Sequence, residues 1–423
     1  MTQPAASGLS DAIEGQPLAG RHVLMIVENL PLPFDRRVWQ EARTLTAAGA
    51  KVSIVCPKGK GFEAPFEHIE GVDIYRHSLP LEASGALGFA LEYGAALFWE
   101  MWLAWRIFFK QRFHVIHGCN PPDLIFLVAL PFKLFGVKFL FDHHDINPEL
   151  YEAKFGKRGP FWKLMVWLEK LTFRSADVSI ATNESYRSIA IERGKMDSGK
   201  VHVVRSDPDL SRLTRVPPVP SWKNGRAHMV GYVGVMGAQE GIDLLINALD
   251  HIVHKLGRKD IQFVLVGGGP SLPMLKQLTE EKQLSPFITF TGRAPDAVLF
   301  EVLSTMDLGV NPDRVNVMND KSTMNKVMEY MASNRLLITH CAIKQCWQWW
   351  PMPWWYCSIG RELIRRLRYD PLVMALNAVG PRHHHDFFSA RPAGALHPGI
   401  GALGPRPIRQ LQSGAFFPAS AGQ

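Results

Sequence analysis

Cysteine is scarce in this sequence, and a secretory signal is missing from its first residues. The 423 residues include five cysteines, at positions 56, 119, 341, 346 and 357. An odd and widely spaced set of this kind excludes a disulfide framework. Residues 1–20 contain neither a basic stretch nor an apolar stretch, so they do not form a signal peptide. We expect a short disordered leader over 1–20 and a reducing cytoplasmic setting.

Excess positive charge is nearly absent from the main body of the chain. The formal net charge is +8, but residues 336–423 contribute +6 of it and the preceding residues only +2. Global charge therefore gives no support to binding of nucleic acid. Apolar residues make up 47% of the chain and charged residues 20%. This composition excludes overall disorder, and the length suits two or three folded domains.

Lysine disappears after Lys344, and the character of the sequence changes at about residue 333. Five tryptophans fall within positions 347–355, and a segment rich in Pro, Gly, His and Arg follows. Such a composition is typical of a GC-rich gene translated in the wrong frame. We therefore predict an aberrant, disordered tail over 336–423, with an unusual but genuine tail as the alternative. The histidine triplet 383–385 lies in this segment and is discounted as a metal site.

Short apolar runs alternate with amphipathic segments along residues 21–205 and again along 229–335. Six runs of the first segment are typical of buried parallel strands, namely 22–27, 52–56, 72–75, 114–118, 137–142 and 178–182. The strand–helix alternation predicts an α/β fold of two Rossmann-like, doubly wound domains. Four prolines between 206 and 228 predict a linker. The two domains should then face a cleft at the carboxyl ends of their strands, where open α/β folds bind ligands.

The segment 85–109 is strongly apolar but is interrupted by Glu92, Glu100 and Arg106. Its length would allow a membrane span, although the central glutamates make a span costly. Three alternatives stay open, namely a buried or surface helix, an interfacial helix that docks 85–112 on a membrane, and a span. Aromatic side chains next to basic ones at the end of the segment suit the interfacial alternative.

A further helix is predicted over about 322–331. Ser322 or Thr323 would cap it, and its free N–H groups would form an anion site. Lys321 would add a positive charge for a phosphate, and Glu329 would lie about two turns further along. A phosphate at the helix start and a carboxylate that accepts from sugar hydroxyls would together hold a nucleoside diphosphate. An ordinary amphipathic helix with a solvated Lys and Glu is the alternative.

The segment 319–332 resembles the nucleotide-binding helix of the GT-B glycosyltransferases, in particular the retaining family 4 group. Six other motifs resemble the same group in the same order, and the resemblance covers about residues 21–333. The motifs are FDRRVWQEARTLTAAGAKVSIVCPKG (34–59), FDHHDINPELY (141–151), VVRSDPDL (203–210), VGYVGVMGAQEGIDLLINAL (230–249), FVLVGGGP (263–270) and FTGRAPDAVLFEVLSTMDLGVNPD (290–313). The resemblance implies transfer of a sugar from a nucleotide-diphosphate sugar, with retention and without a bound metal or other cofactor.

The resemblance also implies the donor contacts. Glu329 would hold the ribose hydroxyls, while the family's other glutamate would fall at Lys321, which can support the diphosphate instead. The loop 235–241 lacks the family's Arg and Lys, although Gly237 permits close approach of a phosphate. Arg293 matches the family's base-contacting loop. The full set of candidate donor-binding residues is Gly237, Arg205, Arg293, Lys321, Ser322, Thr323, Asn325, Lys326 and Glu329.

His143, His144 and Asp145 follow a predicted strand and should face the cleft. By resemblance they contact the donor sugar or the acceptor, and they are the candidate catalytic residues. A metal site with Glu149 as third ligand is one alternative, and a buried, hydrogen-bonded histidine is another. We expect no metal, because two adjacent histidines do not naturally aim at one ion.

Three further motifs favour structural interpretations. The glycines of 266–270 suggest a tight strand-to-helix turn, because the third glycine of a dinucleotide fingerprint is missing. Asp207-Pro208-Asp209 resembles a metal-binding DxD motif but is expected to be a turn. Arg36 and Arg37, with Lys58 and Lys60, could attract an anionic acceptor, although solvated surface charge is the default interpretation.

The acceptor implied by the resemblance is a lipid-linked or saccharide intermediate of an envelope polysaccharide or exopolysaccharide. The chain would then be cytoplasmic, or peripheral on the inner face of the membrane. Two other functions stay open. Ser333-Asn334-Arg335 replaces a Gly-Lys-Pro-like turn of the family, so the second domain could be incomplete and the chain a non-catalytic, defective remnant. A GT-B-like sugar-nucleotide epimerase would bind the same donor without an acceptor.

Overall fold

The computed structural model describes residues 16–79, 85–206, 215–333 and 336–339. The first 15 residues of the predicted leader, the Asp207-Pro208-Asp209 motif and the tail from residue 340 lie outside the described residues. Within the predicted leader, the backbone N–H of Leu18 donates to Ala48 O at 3.0 Å. The Leu18 side chain packs against the first hydrophobic core, so described structure begins before residue 21.

The first domain is built on an eight-stranded sheet in the order β3-β4-β2-β1-β5-β6-β7-β8. All neighbouring strands are parallel except β3 and β4. The strands are β1 (His22–Ile26), β2 (Lys51–Pro57), β3 (Phe66–Ile69), β4 (Val72–His77), β5 (Val115–Cys119), β6 (Lys138–His143), β7 (Val178–Ala181) and β8 (Val201–Val203). The six predicted strands are confirmed to within two residues, whereas the short edge strands β3 and β8 were not predicted.

Six helices cover this sheet. They are α1 (Arg36–Ala47), α2 (Gly85–Lys110), α3 (Phe126–Lys133), α4 (Asn147–Phe155), α5 (Pro160–Ser175) and α6 (Glu184–Glu192). Right-handed crossovers place α2, α3, α5 and α6 on one face and α1 on the other, and a separate hydrophobic core forms on each face. None of the helices in the described residues combines the length and hydropathy that a bilayer crossing needs.

The second domain has a five-stranded parallel sheet in the order β11-β10-β9-β12-β13. Its strands are β9 (His228–Val233), β10 (Ile261–Val266), β11 (Ile288–Gly292), β12 (Leu308–Asn311) and β13 (Leu336–Thr339). Its helices are α7 (Ile242–Asp250), α8 (Leu272–Glu281), α9 (Asp296–Thr305), α10 (Val317–Lys321) and α11 (Asn325–Ala332). The predicted fold class, two Rossmann-like doubly wound domains, is confirmed.

Strand β13 lies beyond the domain boundary predicted at residue 335. Its residues Leu336–Thr339 pair in parallel with Leu308–Asn311 of β12 and form the edge of the second sheet. The sequence LLIT has the apolar and β-branched character of a buried strand. The strand pattern therefore continues past the point where the sequence analysis expected it to be lost.

Candidate active site

Side chains from both domains meet where the strands of the two sheets end. Phe34 and Arg36 follow β1, and Arg293 and Asp296 follow β11. Arg36 Nη2 lies 2.5 Å from Asp296 Oδ1, and the Arg293 guanidinium lies 4.4 Å from the centre of the Phe34 ring. The predicted cleft is therefore lined by the loops that follow the carboxyl ends of the strands. The predicted contact of Arg293 with a base stays a prediction.

Glu329 lies on α11 and faces the first domain. Its carboxylate Oε1 is 3.6 Å from Arg36 Nη1, and its side chain is 16% exposed. Burial raises the pKa of the Glu329 carboxyl, and the charge of Arg36 partly opposes that shift. The side chain thus lies at the cleft, as a contact with a donor ribose would require.

The predicted helix over 322–331 is wrong at its start. The chain leaves helical geometry at Ser322, and α11 begins only at Asn325. Met324 is the N-cap residue, with φ −84° and ψ 114°, and no side chain in the described part of the chain caps the helix. Ser322 and Thr323 therefore do not form the predicted capped anion site.

Contacts from the first domain stabilise this break in the helix. Asn183 Nδ2 donates to Lys321 O at 2.9 Å and to Thr323 Oγ1 at 3.1 Å. The hydroxyls of Tyr186 and Ser322 lie 3.0 Å apart. These bonds satisfy polar groups next to the break, so an extended turn here replaces a continuous helix. Residues 321–323 thus connect the two domains.

Lys321 lies at the end of α10 rather than at the start of a helix. Its Nζ is 3.3 Å from Glu149 Oε1 in the first domain. Glu149 also accepts hydrogen bonds from Arg193 at 2.8 and 3.1 Å, and Arg193 Nη2 donates to the buried Glu169 at 2.7 Å. Although burial opposes it, these hydrogen bonds lower the pKa of Glu149. Lys321 therefore belongs to an ion network between the domains, and its role in diphosphate binding stays a prediction.

Lys326 is buried between two carboxylates. Its Nζ lies 2.6 Å from Glu240 Oε2 and 2.7 Å from Asp313 Oδ1, and 5.0 Å from the centre of the Tyr232 ring. Burial raises the pKa of Asp313 to about 6, against the opposing charge of Lys326. A phosphate on Lys326 would therefore have to replace one of these carboxylates.

Glycines are required where the loops after β9 and β10 pack together. Gly267 has φ +134°, and a Cβ there would lie 1.9 Å from Gly234 O. A Cβ on Gly269 would lie 2.5 Å from Met236 O. A Cβ on Gly237 would instead meet only a flexible glutamine side chain. The glycine-rich segment after β10 is thus confirmed as a tight strand-to-helix turn.

Two other predicted donor residues are exposed. Arg205 follows the carboxyl end of β8, and Asn325 opens α11. Arg205 precedes the segment between the two domains, and Asn325 follows residues 321–323, which contact the first domain. Their donor-binding roles stay predictions.

His143 points into the core of the first domain, so its predicted orientation toward the cleft is wrong. The side chain is fully buried, and its ring centre lies 5.1 Å from that of Phe173 and 5.2 Å from that of Tyr186. Its Nε2 is 3.6 Å from Glu169 Oε1, and neither ring nitrogen has a hydrogen-bond partner among the residues that the structure describes. Consecutive strand residues point to opposite faces, which separates His143 from His144.

His144 lies on the other side of the strand, in a cluster that the sequence analysis missed. Its Nε2 is 2.5 Å from Asp142 Oδ2 and 2.9 Å from Arg37 Nε. Arg37 Nη2 donates to Asp142 Oδ1 at 2.9 Å and lies 3.1 Å from Glu41. Arg37 is therefore largely buried in an ion network, and the default interpretation of solvated charge is wrong for it. The helical spacing of Arg37 and Glu41 and the strand alternation of Asp142 and His144 were the available signals.

The two carboxyl groups of this cluster, Asp142 and Glu41, have pKa values shifted in opposite directions. Burial disfavours the charged form of Asp142, but the charges of His144 and Arg37 hold its pKa well below its usual range. Burial and the negative charge of Asp142 raise the pKa of Glu41 well above its usual range. The cluster therefore binds a proton at Glu41 in preference to Asp142.

Two groups in this cluster have side chains that suit a metal ion. They are Glu41, Asp142 and His144, and His117, Cys119 and Asp142, with the ligand atoms of each group within 4.8 Å of one another. The Arg37 guanidinium lies against the shared Asp142 and already supplies a positive charge. The predicted alternative of His143, His144 and Glu149 does not converge, since Glu149 binds Arg193.

Asn120 holds the loop that carries His144 and Asp145. Its Oδ1 accepts from the backbone N–H of His144 at 2.7 Å and of Asp145 at 3.1 Å. Its Nδ2 donates to Asp145 O at 2.7 Å and to Asp123 Oδ1 at 2.9 Å. Asn147 Nδ2 donates to the other oxygen of Asp123. These bonds fix the backbone after β6, and burial raises the pKa of the Asp145 carboxyl.

Asp123 should make the stability of the first domain depend on pH. Burial, then the charge of Glu169, raises the pKa of Asp123 to about 6. The folded state holds this proton where the unfolded state loses it, so the free energy of unfolding should fall as pH rises from about 4 to about 6. Asp123→Asn should remove this contribution, worth up to about 3 kcal/mol.

Urea denaturation of the wild type and the variant across this pH range is the measurement for Asp123. As pH rises, the unfolding free energy of the wild type should fall relative to that of Asp123→Asn. Asp260→Asn is a matched control, because Asp260 is exposed and its pKa is lowered to about 2 by Arg258. If the difference in unfolding free energy between the wild type and Asp123→Asn does not change with pH, the role assigned to Asp123 is contradicted.

Models of two protein families match the chain. The glycosyl transferase 4-like domain matches residues 35–206, and the glycosyl transferases group 1 family matches residues 227–346. A curated relative, an alpha-D-kanosaminyltransferase from Streptomyces kanamyceticus, is 30% identical over 112 residues. That stretch spans 26% of this chain and 27% of the relative.

Solved structures show the same fold. Sucrose-phosphate synthase from Thermosynechococcus elongatus superimposes with a TM-score of 0.62 at 18% identity, over 85% of this chain and 94% of that one. HepE from Anabaena, in complex with UDP and glucose, has a TM-score of 0.53 at 14% identity, over 75% and 80% of the two chains. The two family matches cover most of the chain, each on one of the facing Rossmann-like domains, and the chain belongs to the GT-B glycosyltransferases.

Proposed function

We propose that this glycosyltransferase moves a sugar from a nucleoside diphosphate sugar to a lipid-linked or saccharide acceptor, with retention of anomeric configuration. The observation that carries the proposal is that two neighbouring arginines contact residues of different domains on the two sides of the cleft. Arg36 contacts Glu329 of the second domain, while Arg37 contacts His144 and Asp142 of the first. A molecule bound between the domains would therefore be close to Glu329 on one side and to His144 and Asp142 on the other.

The donor would bind on the second domain. Glu329 would accept hydrogen bonds from the ribose hydroxyls, and the glycine loops after β9 and β10 would lie next to the diphosphate. A related fold with UDP and glucose, the HepE complex, supports a nucleotide-sugar donor. Preorganised N–H groups and cations would stabilise the charge that develops on the departing diphosphate. Lys326 and Lys321 are the candidate cations, each after exchange of a carboxylate partner.

The acceptor would bind against the first domain. The bond from the anomeric carbon to the diphosphate breaks, a bond to the acceptor hydroxyl oxygen forms, and the departing diphosphate oxygen takes up the hydroxyl proton. His144 is the candidate group for contact with the sugar or the acceptor, because Asp142 and Arg37 hold its ring. We assign no protein nucleophile. An intermediate of an envelope polysaccharide or exopolysaccharide on a lipid carrier is the proposed acceptor.

A thermal-shift panel of UDP-, GDP-, ADP- and TDP-sugars tests the donor. One nucleotide sugar should raise the midpoint temperature of a cooperative unfolding transition. At a ligand concentration about 100 times its Kd, binding should stabilise the folded chain by about 2.7 kcal/mol. The same sugars without a nucleotide are the control. A missing cooperative transition, or no shift with any donor, would contradict the proposal and favour the defective-remnant alternative.

Analysis of the product separates transfer from epimerisation. A transferase consumes the donor only when an acceptor is present and releases the nucleoside diphosphate. The anomeric proton coupling of the product, measured by NMR, should match that of the donor if configuration is retained. An isomerised nucleotide sugar formed without an acceptor would assign the chain to the epimerase alternative.

A further inference from the structure

Exposed apolar side chains are concentrated on one side of the first domain. Of the 20 large apolar side chains that are exposed in the described residues, eleven lie on or directly after α2, α3 and α5. They are Tyr93, Phe98, Trp102, Phe109, Leu127, Leu130, Leu134, Phe135, Phe161, Leu164 and Trp167. Soluble monomeric proteins rarely expose large apolar patches, and such patches mark partner or membrane contacts. We call this surface the three-helix face.

The three helices are neighbours on the same side of the sheet. Helix α3 packs against both α2 and α5, and the inward sides of all three form one core, which includes Phe108, Phe132 and Phe173. The core is therefore complete beneath these helices. Their outward apolar residues are additional to those that folding requires.

The exposed charged side chains that the three helices themselves carry are basic, and one of them, Lys133, pairs at 2.9 Å with Asp177, which follows α5. From residue 93 onward, the three helices carry six basic side chains that are exposed or half-exposed. These are Arg106, Lys110, Lys133, Lys163, Lys170 and Arg174. The two acidic side chains of the same segments, Glu100 and Glu169, are both 0% exposed. The face thus presents apolar residues and positive charge together.

An open pocket of about 490 Å³ lies at one end of the three-helix face. Trp105, Phe109 and Phe135 line it with aromatic rings, and Lys110 and Arg112 contribute positive charge. This combination suits a hydrocarbon chain inside the pocket and an anionic headgroup at its mouth.

We propose that the three-helix face docks the enzyme on an anionic lipid bilayer. Aromatic and leucine side chains would enter the interface, and the basic side chains other than the paired Lys133 would attract anionic lipid. A second copy of the chain is a poorer partner, because a two-fold contact would place the same basic side chains opposite one another. The proposal goes beyond the proposed sugar transfer and does not depend on it.

Flotation of the full chain with vesicles tests this proposal. Vesicles of phosphatidylcholine mixed with phosphatidylglycerol should bind roughly ten times more protein than phosphatidylcholine alone, and salt should weaken the binding. The triple variant Phe109→Ser, Leu134→Ser and Trp167→Ser, with one change in each part of the face, should lose binding to the mixed vesicles. The charge variant Lys110→Glu, Lys163→Glu and Arg174→Glu should lose it too.

The matched control is Phe66→Ser, Leu256→Ser and Met274→Ser, which changes three exposed apolar residues elsewhere. This control should float like the wild type, and thermal unfolding should show that each variant is folded. Absence of flotation, or equal flotation of wild type and both test variants, would overturn the proposal. A lipid-free dimer that the apolar variant abolishes would also overturn it and assign the face to self-association. The nucleotide-induced thermal shift reports separately on the proposed function.

Discussion

Replacing Glu329 with alanine should weaken binding of the donor nucleotide by about 10- to 100-fold. The loss corresponds to about 1–3 kcal/mol, the scale of hydrogen bonds to a charged group. Glu329 is a mostly buried carboxylate at the cleft, and ribose hydroxyls would donate to it. Isothermal titration with the nucleotide identified by the donor panel is the measurement. Because burial raises the Glu329 pKa, affinity should also fall as pH is lowered, since a protonated carboxyl is a weaker acceptor.

Asp296→Asn is the matched control for Glu329→Ala. Both acidic residues contact Arg36, but only Glu329 is expected to hold the ribose. Removing Asp296 therefore tests whether loss of an Arg36 contact is enough to change donor affinity. A nucleotide without the 2′-hydroxyl should bind the wild type more weakly than the full nucleotide does. Replacing Glu329 should then reduce its affinity by a smaller factor. Equal losses in Glu329→Ala and Asp296→Asn, or unchanged affinity in folded Glu329→Ala, would contradict the assignment.

Replacing Arg193 with methionine should destabilise the chain by about 3–5 kcal/mol, the usual cost of removing one partner from a buried ion pair. Arg193 binds both oxygens of Glu149 and also Glu169, whose side chain is 0% exposed. The variant would leave two carboxylates in the interior with Lys321 as the nearest described cation of Glu149. Urea denaturation at neutral pH measures the loss.

The pH dependence of the Arg193→Met effect supplies a second test. Arg193 lowers the pKa of Glu149 against its burial, so its stabilisation is present at neutral pH and is lost as pH falls and the carboxyl is protonated. The destabilisation should therefore be smaller at acidic pH than at pH 7. Arg187→Met is the control, because Arg187 is partly exposed and donates to backbone carbonyls. Equal destabilisation by the two substitutions would contradict the proposed role of the network.

Much of the fold could be predicted because the apolar runs in the sequence coincide with the strands that are buried in the sheet. The run 52–56 became Lys51–Pro57, and 178–182 became Val178–Ala181. Parallel strands that are covered on both faces are apolar throughout, so a short apolar run marks them directly. The edge strand Phe66–Ile69 lacks this signal, because its side chains alternate between exposed and half-buried, and it was missed for that reason.

The candidate site was less predictable, because its arrangement depends on residues far apart in the chain. The sequence by itself determined the α/β class, the two domains and the position of Glu329 on a helix near the cleft. Only the tertiary structure decided that Ser322 and Thr323 would contact Asn183 and Tyr186 instead of capping that helix. It also decided that Arg37 would be buried against Asp142 and His144. Propensity and periodicity act within about one helical turn, whereas these contacts form only when the folded sheets bring distant strand ends together.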